Sequence, residues 1–127
     1  MQDQNMAIVK SLVSVAWADG EFAEKEREMI KALIEAFEAT EAQTEELWQY
    51  AAEKKTFDDL PMADLTSDDR RVLLQHAVLM SFVDGEQHDS EKQMITELCK
   101  RLEIPQDEAA SLVSAAEARA KRFLNLL

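Results

Sequence analysis

Residues 7–37, AIVKSLVSVAWADGEFAEKEREMIKALIEAF, and residues 72–102, VLLQHAVLMSFVDGEQHDSEKQMITELCKRL, are one passage written twice at a spacing of 65. Eight of the thirty-one aligned positions are identical: Val13/Val78, Asp19/Asp84, Gly20/Gly85, Glu21/Glu86, Glu26/Glu91, Met29/Met94, Ile30/Ile95 and Leu33/Leu98. Nine of the others trade one apolar residue for another, as Trp17 does for Phe82. Such a repeat marks one supersecondary unit used twice. In each copy a nearly all-apolar run leads into Asp-Gly-Glu and then into a stretch with helical periodicity. Met6 to Ala18 reads as a largely buried helix, matched by Val72 to Val83 through Leu73, Leu74, Ala77, Val78, Met80 and Phe82. The periodic stretches present Met29, Ile30, Leu33, Ile34 and Phe37 in the first copy, and Met94, Ile95, Leu98, Cys99 and Leu102 in the second.

Working outward, Thr40 with Gln43 three residues on is a capping-box pattern that opens a third helix, with Leu47, Trp48 and Ala51 inward. Pro105, expected at a first helical position, opens its counterpart through Leu112, Val113, Ala116, Ala120 and Phe123. Between the units, Thr56 to Asp69 holds Pro61 and several aspartates and reads as a linker with one short helical turn. Thr66 and Ser67 at its end suit a helix cap, and Asp68 and Asp69 suit a helix N-terminus. The expected fold class is therefore all-α, a compact bundle of six to seven helices built from two pseudo-repeated three-helix units. One domain over residues 1–127 is expected, with pseudo-repeats at 7–55 and 67–125 and a linker at about 56–66. Composition agrees, since two glycines, two prolines and 6% aromatic residues leave few signals for strands or hairpins.

Fourteen basic against twenty-six acidic side chains give a formal charge of -12, which repels nucleic acid phosphates and anionic lipid headgroups. Neither is expected as a direct ligand, and the longest apolar run is too short to span a bilayer. Cys99 is the single cysteine, and no basic-then-apolar leader opens the chain, so a cytoplasmic location is expected.

The pattern Asp-Gly-x-x-x-x-x-Glu between an apolar helix and an acidic amphipathic one occurs at Asp19-Gly20 with Glu26 and again at Asp84-Gly85 with Glu91. Two copies in register in one small helical domain resemble the TerB family of tellurite-resistance proteins and the related TerB-like domain of membrane-anchored DnaJ-type co-chaperones. The resemblance implies a helical bundle of two related halves and a stress-response role as a partner protein rather than an enzyme. It also implies an acidic cluster that binds a divalent cation. Carried over, that cluster is Asp19, Glu26, Asp84 and Glu91.

The same residues have a physical reading of their own. If the halves pack with their central helices adjacent, both Asp-Gly turns fall near each other and four carboxylates converge. Crowded carboxylates keep protons or recruit a cation, and an all-oxygen set suits Ca²⁺, Mg²⁺ or Mn²⁺. A second reading stands beside it. Gly20 and Gly85 sit where helices commonly stop, Glu26 and Glu91 lie near helix starts, and Asp19 and Asp84 can each cap the next helix across the turn. On that reading the motif is only a helix corner. Against it, an aspartate at a helix C-terminus opposes the macrodipole, and here the rule is broken twice.

An EF-hand is excluded because helical apolar sequence occupies the place of its ligand loop before Gly20. A ferritin-like di-metal site is excluded because no Glu-x-x-His occurs. His76 and His88 lack a partnered nucleophile, and Cys99 aligns with Ile34 as a small core residue. Trp48, Tyr50 and Phe57 offer aromatic surface to a partner or pack inward. The C-terminal Arg119, Lys121 and Arg122 with Phe123, Leu124, Leu126 and Leu127 form either a docking end or a helix terminus. The expectation is a non-enzymatic domain acting through an unidentified protein partner, with a divalent cation as the one cofactor considered. The alternative is a small metal-dependent hydrolase using the same carboxylates, for which no glycine-rich loop or paired histidine is present.

Overall fold

The computed structural model describes residues 3–18, 24–81 and 89–125. They form six α-helices and two 3-10 turns, with no strand among the described residues. The helices are α1 (Asp3–Ala18), α2 (Glu24–Ala36), α3 (Glu41–Ala51), α4 (Ser67–Met80), α5 (Asp89–Arg101) and α6 (Gln106–Asn125). The turns, Phe57–Asp59 and Met62–Asp64, occupy the linker, which therefore holds two short helical turns where the sequence reading placed one.

The apolar run of α1 makes it the central helix. Every residue from Met6 to Ala16 is buried except Lys10. Lys10 runs its stem outward to Glu46 on α3 at 3.4 Å, with its ammonium 5.5 Å from the centre of the Tyr50 ring. α1 packs against α2, α3 and α4, and α4 packs in turn against α5 and α6. One continuous core runs through both halves, from Leu12 and Ile30 to Leu73, Leu74, Leu98 and Leu102. Each such side chain contributes about 1.5–3 kcal/mol by leaving water. Ser11, within the core, satisfies its hydroxyl by donating to the Ala7 carbonyl one turn back at 2.7 Å.

The repeat reappears in the element boundaries. α2 and α5 begin and end 65 positions apart, and α3 and α6 begin 65 apart. Their ends are built alike too. Glu38 and Glu103, again 65 apart, take the left-handed backbone conformation at φ 57° and 58°. The amide after each donates back across the last turn, Ala39 to the Ile34 carbonyl at 3.2 Å and Ile104 to that of Cys99 at 3.4 Å. Glu38 and Glu103 themselves donate to Glu35 and Lys100, both at 3.1 Å. These are Schellman ends. They close α2 and α5 without the glycine that usually fills the left-handed position, so no residue type in the sequence announced them.

The starts of the remaining helices agree closely with the sequence. Thr40 and Gln43 form the reciprocal capping box expected for α3, and Thr66 with Asp69 forms another at α4. Pro105 stands one residue earlier than expected, outside the first turn of α6, where its carbonyl accepts from Ala109 at 2.8 Å. Two arginines tie the linker and the second half together. Arg70 donates to the carbonyls of Met62 and Leu102 at 3.2 and 3.3 Å. Arg71 grips Glu108 of α6 through both guanidinium edges, Nη2 at 2.8 Å.

Candidate functional site

Glu26 and Glu91 hold equivalent places, each the third residue of its helix, α2 and α5. Neither residue is without an interaction partner. Glu26 is the only charged side chain that the described residues bury, at 9% exposure, and Glu91 is half-buried. An ionised carboxylate this far from water is costly unless it is partnered, which sets Glu26 apart from the other, solvated acids on α2. The other two members of the expected cluster, Asp19 and Asp84, lie outside the described residues, as do Gly20, Gly85 and His88. Among the described residues no three or more His, Cys, Asp or Glu side chains gather as a metal site.

The described residues do show which elements meet at the end of α1. A cavity of about 540 Å³ is lined by Trp17 and Ala18 of α1, by Met94, Glu97 and Arg101 of α5, and by the chain after α3. Asp19 comes directly after Ala18 in the sequence, and Met94 lies one helical turn beyond Glu91 on the same face of α5. The end of the first central helix thus shares a cavity with the second half's amphipathic helix.

Packing and charge fix the walls of this cavity. Trp17 donates its indole N–H to the Ala51 carbonyl at the end of α3, at 3.0 Å. Arg101 bridges Asp58 at 2.6 Å and Glu97 at 3.2 Å, and these two hydrogen bonds hold its guanidinium pKa above the ordinary value. The Lys55 ammonium sits 4.2 Å from the centre of the Tyr50 ring, a cation–π contact, with Glu53 at 3.8 Å. Arg101 and Lys55 are thus each paired with a carboxylate in this wall.

The remaining candidates resolve individually. Trp48, Tyr50 and Phe57 are half-buried and pack against the core, so the inward reading holds for them. His76 is half-buried on α4, and desolvation lowers its pKa, favouring the neutral imidazole. Cys99 is not a fully enclosed core residue. It is half-buried and lines a surface groove, and desolvation raises its thiol pKa, which keeps it protonated and unreactive. Arg119, Lys121 and Arg122 are exposed along the last turns of α6, and the side chains beyond them lie outside the described residues. No described helix is long and apolar enough to cross a membrane.

The family model described as tellurite resistance protein TerB matches residues 27–114. That span takes in Asp84 and Glu91 and begins one residue after Glu26. No curated protein and no solved structure matches the chain. A match running from the first turn of α2 into α6 covers more than half of the residues and both repeats' amphipathic helices, and by it the chain belongs to the TerB family.

Proposed function

We propose that this TerB domain is a non-enzymatic, cytoplasmic accessory module of a stress response. It works through a protein partner and holds one hard divalent cation between Asp19, Glu26, Asp84 and Glu91. The observation that carries the reading is the burial of Glu26. A carboxylate is withdrawn from water at the third residue of α2, where the repeat places a second one, Glu91, on α5. The cavity between the end of α1 and α5 supports the same reading, because Ala18, just before Asp19, and Met94, one turn beyond Glu91, both line it. Oxygen donors alone select Ca²⁺, Mg²⁺ or Mn²⁺ over softer ions. An ion bridging the two halves would stabilise the bundle by mass action and leave no chemistry to a nucleophile.

The test is a titration of chelator-treated protein with each ion, read by calorimetry and by thermal unfolding. An ion present at one hundred times its Kd should add about 2.7 kcal/mol to stability. Asp19→Asn and Glu26→Gln should each abolish that gain while the apo proteins stay folded. If none of the three ions binds at millimolar concentration, the motif is a pair of helix corners and the reading fails.

A further inference from the structure

A second cavity, of about 580 Å³, lies on the outer side of the second half between α5 and α6. Its floor is apolar, formed by Ile95, Cys99, Ile104 and Val113. Ile95 and Ile104 are buried, while Cys99 and Val113 are half-buried. The rims are charged and of opposite sign. Lys92 and Lys100 stand on the α5 side and Glu117 on the α6 side.

The repeat explains why this groove is open. At the spacing of 65, Val113 corresponds to Trp48 and Cys99 to Ile34. In the first half Trp48 packs against the core and Ile34 is 4% exposed. The second half carries smaller side chains at both positions, on helices that start 65 positions after their counterparts. The space that an indole takes up in one half is left as a groove in the other.

The rim lysines differ from the cations that are tied to the frame of this chain. Lys10, Lys55, Arg70, Arg71 and Arg101 all hold carboxylates. Lys92 and Lys100, in contrast, have no carboxylate within ion-pair distance among the described residues, and Glu117 has no cation there. Eight residues of helix separate the two lysines, a rise of about 12 Å at about 1.5 Å per residue. That distance is matched by side chains seven or eight positions apart on a second helix. A second copy of this chain is a poor occupant, because Val72 is the only large apolar side chain that the described residues leave exposed. Among its described residues such a copy brings no apolar ridge to insert.

We propose that the groove between α5 and α6 docks a single amphipathic helix of a partner protein, with carboxylates about two turns apart along one edge to pair with Lys92 and Lys100. A cation on its other edge meets Glu117, and its apolar face fills the place that Trp48 fills in the first half. This is the helix-in-groove mode of recognition, with apolar anchors supplying affinity and the charged rims fixing direction. The chain's overall negative charge does not forbid an acidic edge at contact, since charges beyond about 8 Å are largely screened at physiological ionic strength. The inference shares with the proposed function only the idea of a protein partner and requires no bound ion.

The experiment uses the full chain, isotopically labelled, in the presence of a chelator so that the cation reading is not tested with it. The probes are two synthetic amphipathic helical peptides with the same leucine face. One carries glutamates seven positions apart on one edge, and its twin carries lysines there. The glutamate peptide should bind about tenfold more tightly and shift the amide resonances of Ile95, Cys99 and Val113. Lys92→Glu with Lys100→Glu should reverse the order of the peptides, and Val113→Trp should close the groove and remove binding of both. If Val113→Trp does not fold, the charge reversal alone decides. Equal affinities, no binding of either peptide, resonance shifts elsewhere, or a dimer in sedimentation that Val113→Glu abolishes would each overturn the proposal, the last in favour of a second copy.

Discussion

Glycine should stabilise this fold relative to alanine at positions 38 and 103, the reverse of the order that holds inside a helix. Both positions sit at φ near +57°, where the Cβ of an L-residue crowds the following carbonyl at a cost of about 1–2 kcal/mol. Glycine avoids that crowding but loses about 0.5–1 kcal/mol of extra backbone freedom on folding. The net preference for Gly over Ala is therefore about 0.5–1 kcal/mol. Alanine is the right reference because both substitutions remove the carboxylate. With it go the Glu103 contact to Arg70 at 3.5 Å and the interactions of Glu38. At an unfolding entropy of about 2.1 cal/mol/K per residue, a domain of this length shifts by about 4 °C per kcal/mol, so the Gly variant should melt roughly 2–4 °C above the Ala variant at each site. Ala32, exposed in the middle of α2, supplies the control. Ala32→Gly should lower Tm by about 4 °C for a helix-propensity loss of about 1 kcal/mol. The assay is reversible thermal unfolding followed by circular dichroism. If alanine equals or exceeds glycine at both 38 and 103, the Schellman assignment and the repeat of helix ends fall together.

Two further perturbations address the core and its electrostatics. Leu12→Ala and Leu73→Ala, each removing a side chain with 0% exposure from the shared core, should cost about 2–5 kcal/mol in urea unfolding with an unchanged m-value. A loss below about 1 kcal/mol at both would contradict a common core between α1 and α4. At acid pH the Arg71–Glu108 pair governs another limb of stability. Hydrogen bonding to Arg71, and to a lesser extent its charge, holds the Glu108 pKa below the ordinary value. A depressed carboxylate contributes stability that is present above its unfolded pKa and is lost as pH falls through the folded one. Glu108→Gln should therefore lower stability near neutrality and flatten the acid limb, and parallel profiles for the two proteins would refute the contribution.

The helices were legible because three independent signals agreed: the all-round apolar run of α1, the periodicity of α2 and α5, and the polar caps at Thr40 and Thr66. Residues that cap by side chain announce themselves, since only a few side chains can accept from an exposed helix amide. The ends at Glu38 and Glu103 could not be read the same way. Their motif is made of backbone hydrogen bonds, and a glutamate there has the same appearance as a glutamate inside the helix. Only the repeat could have pointed to them, by requiring α2 and α5 to stop together. The acids of the repeated motif were legible as residue types and spacing, and the structure adds the burial of Glu26. The groove is not legible in the same way, because its signal is a difference between copies, whereas a repeat is recognised by likeness. In sequence alone, Cys99 in place of Ile34 is one apolar core residue for another.

That difference matters for how a duplicated domain divides its labour. Two units with matching helix boundaries impose nearly the same backbone frame, so substitutions between equivalent positions change surface and filling more than architecture. Identity concentrates where the chain turns, in Asp-Gly-Glu and the glutamate beyond it, and along the shared core at Met29/Met94, Ile30/Ile95 and Leu33/Leu98. Divergence concentrates on the outer side of the helix pairs, where Trp48 becomes Val113 and Glu35 becomes Lys100. The first change opens space and the second reverses a charge at its edge. Stability alone would favour filling a groove of this kind, because half-buried apolar floor leaves hydrophobic free energy unrealised. A half-buried floor left open beside two lysines that no described carboxylate pairs is the feature the peptide titration tests.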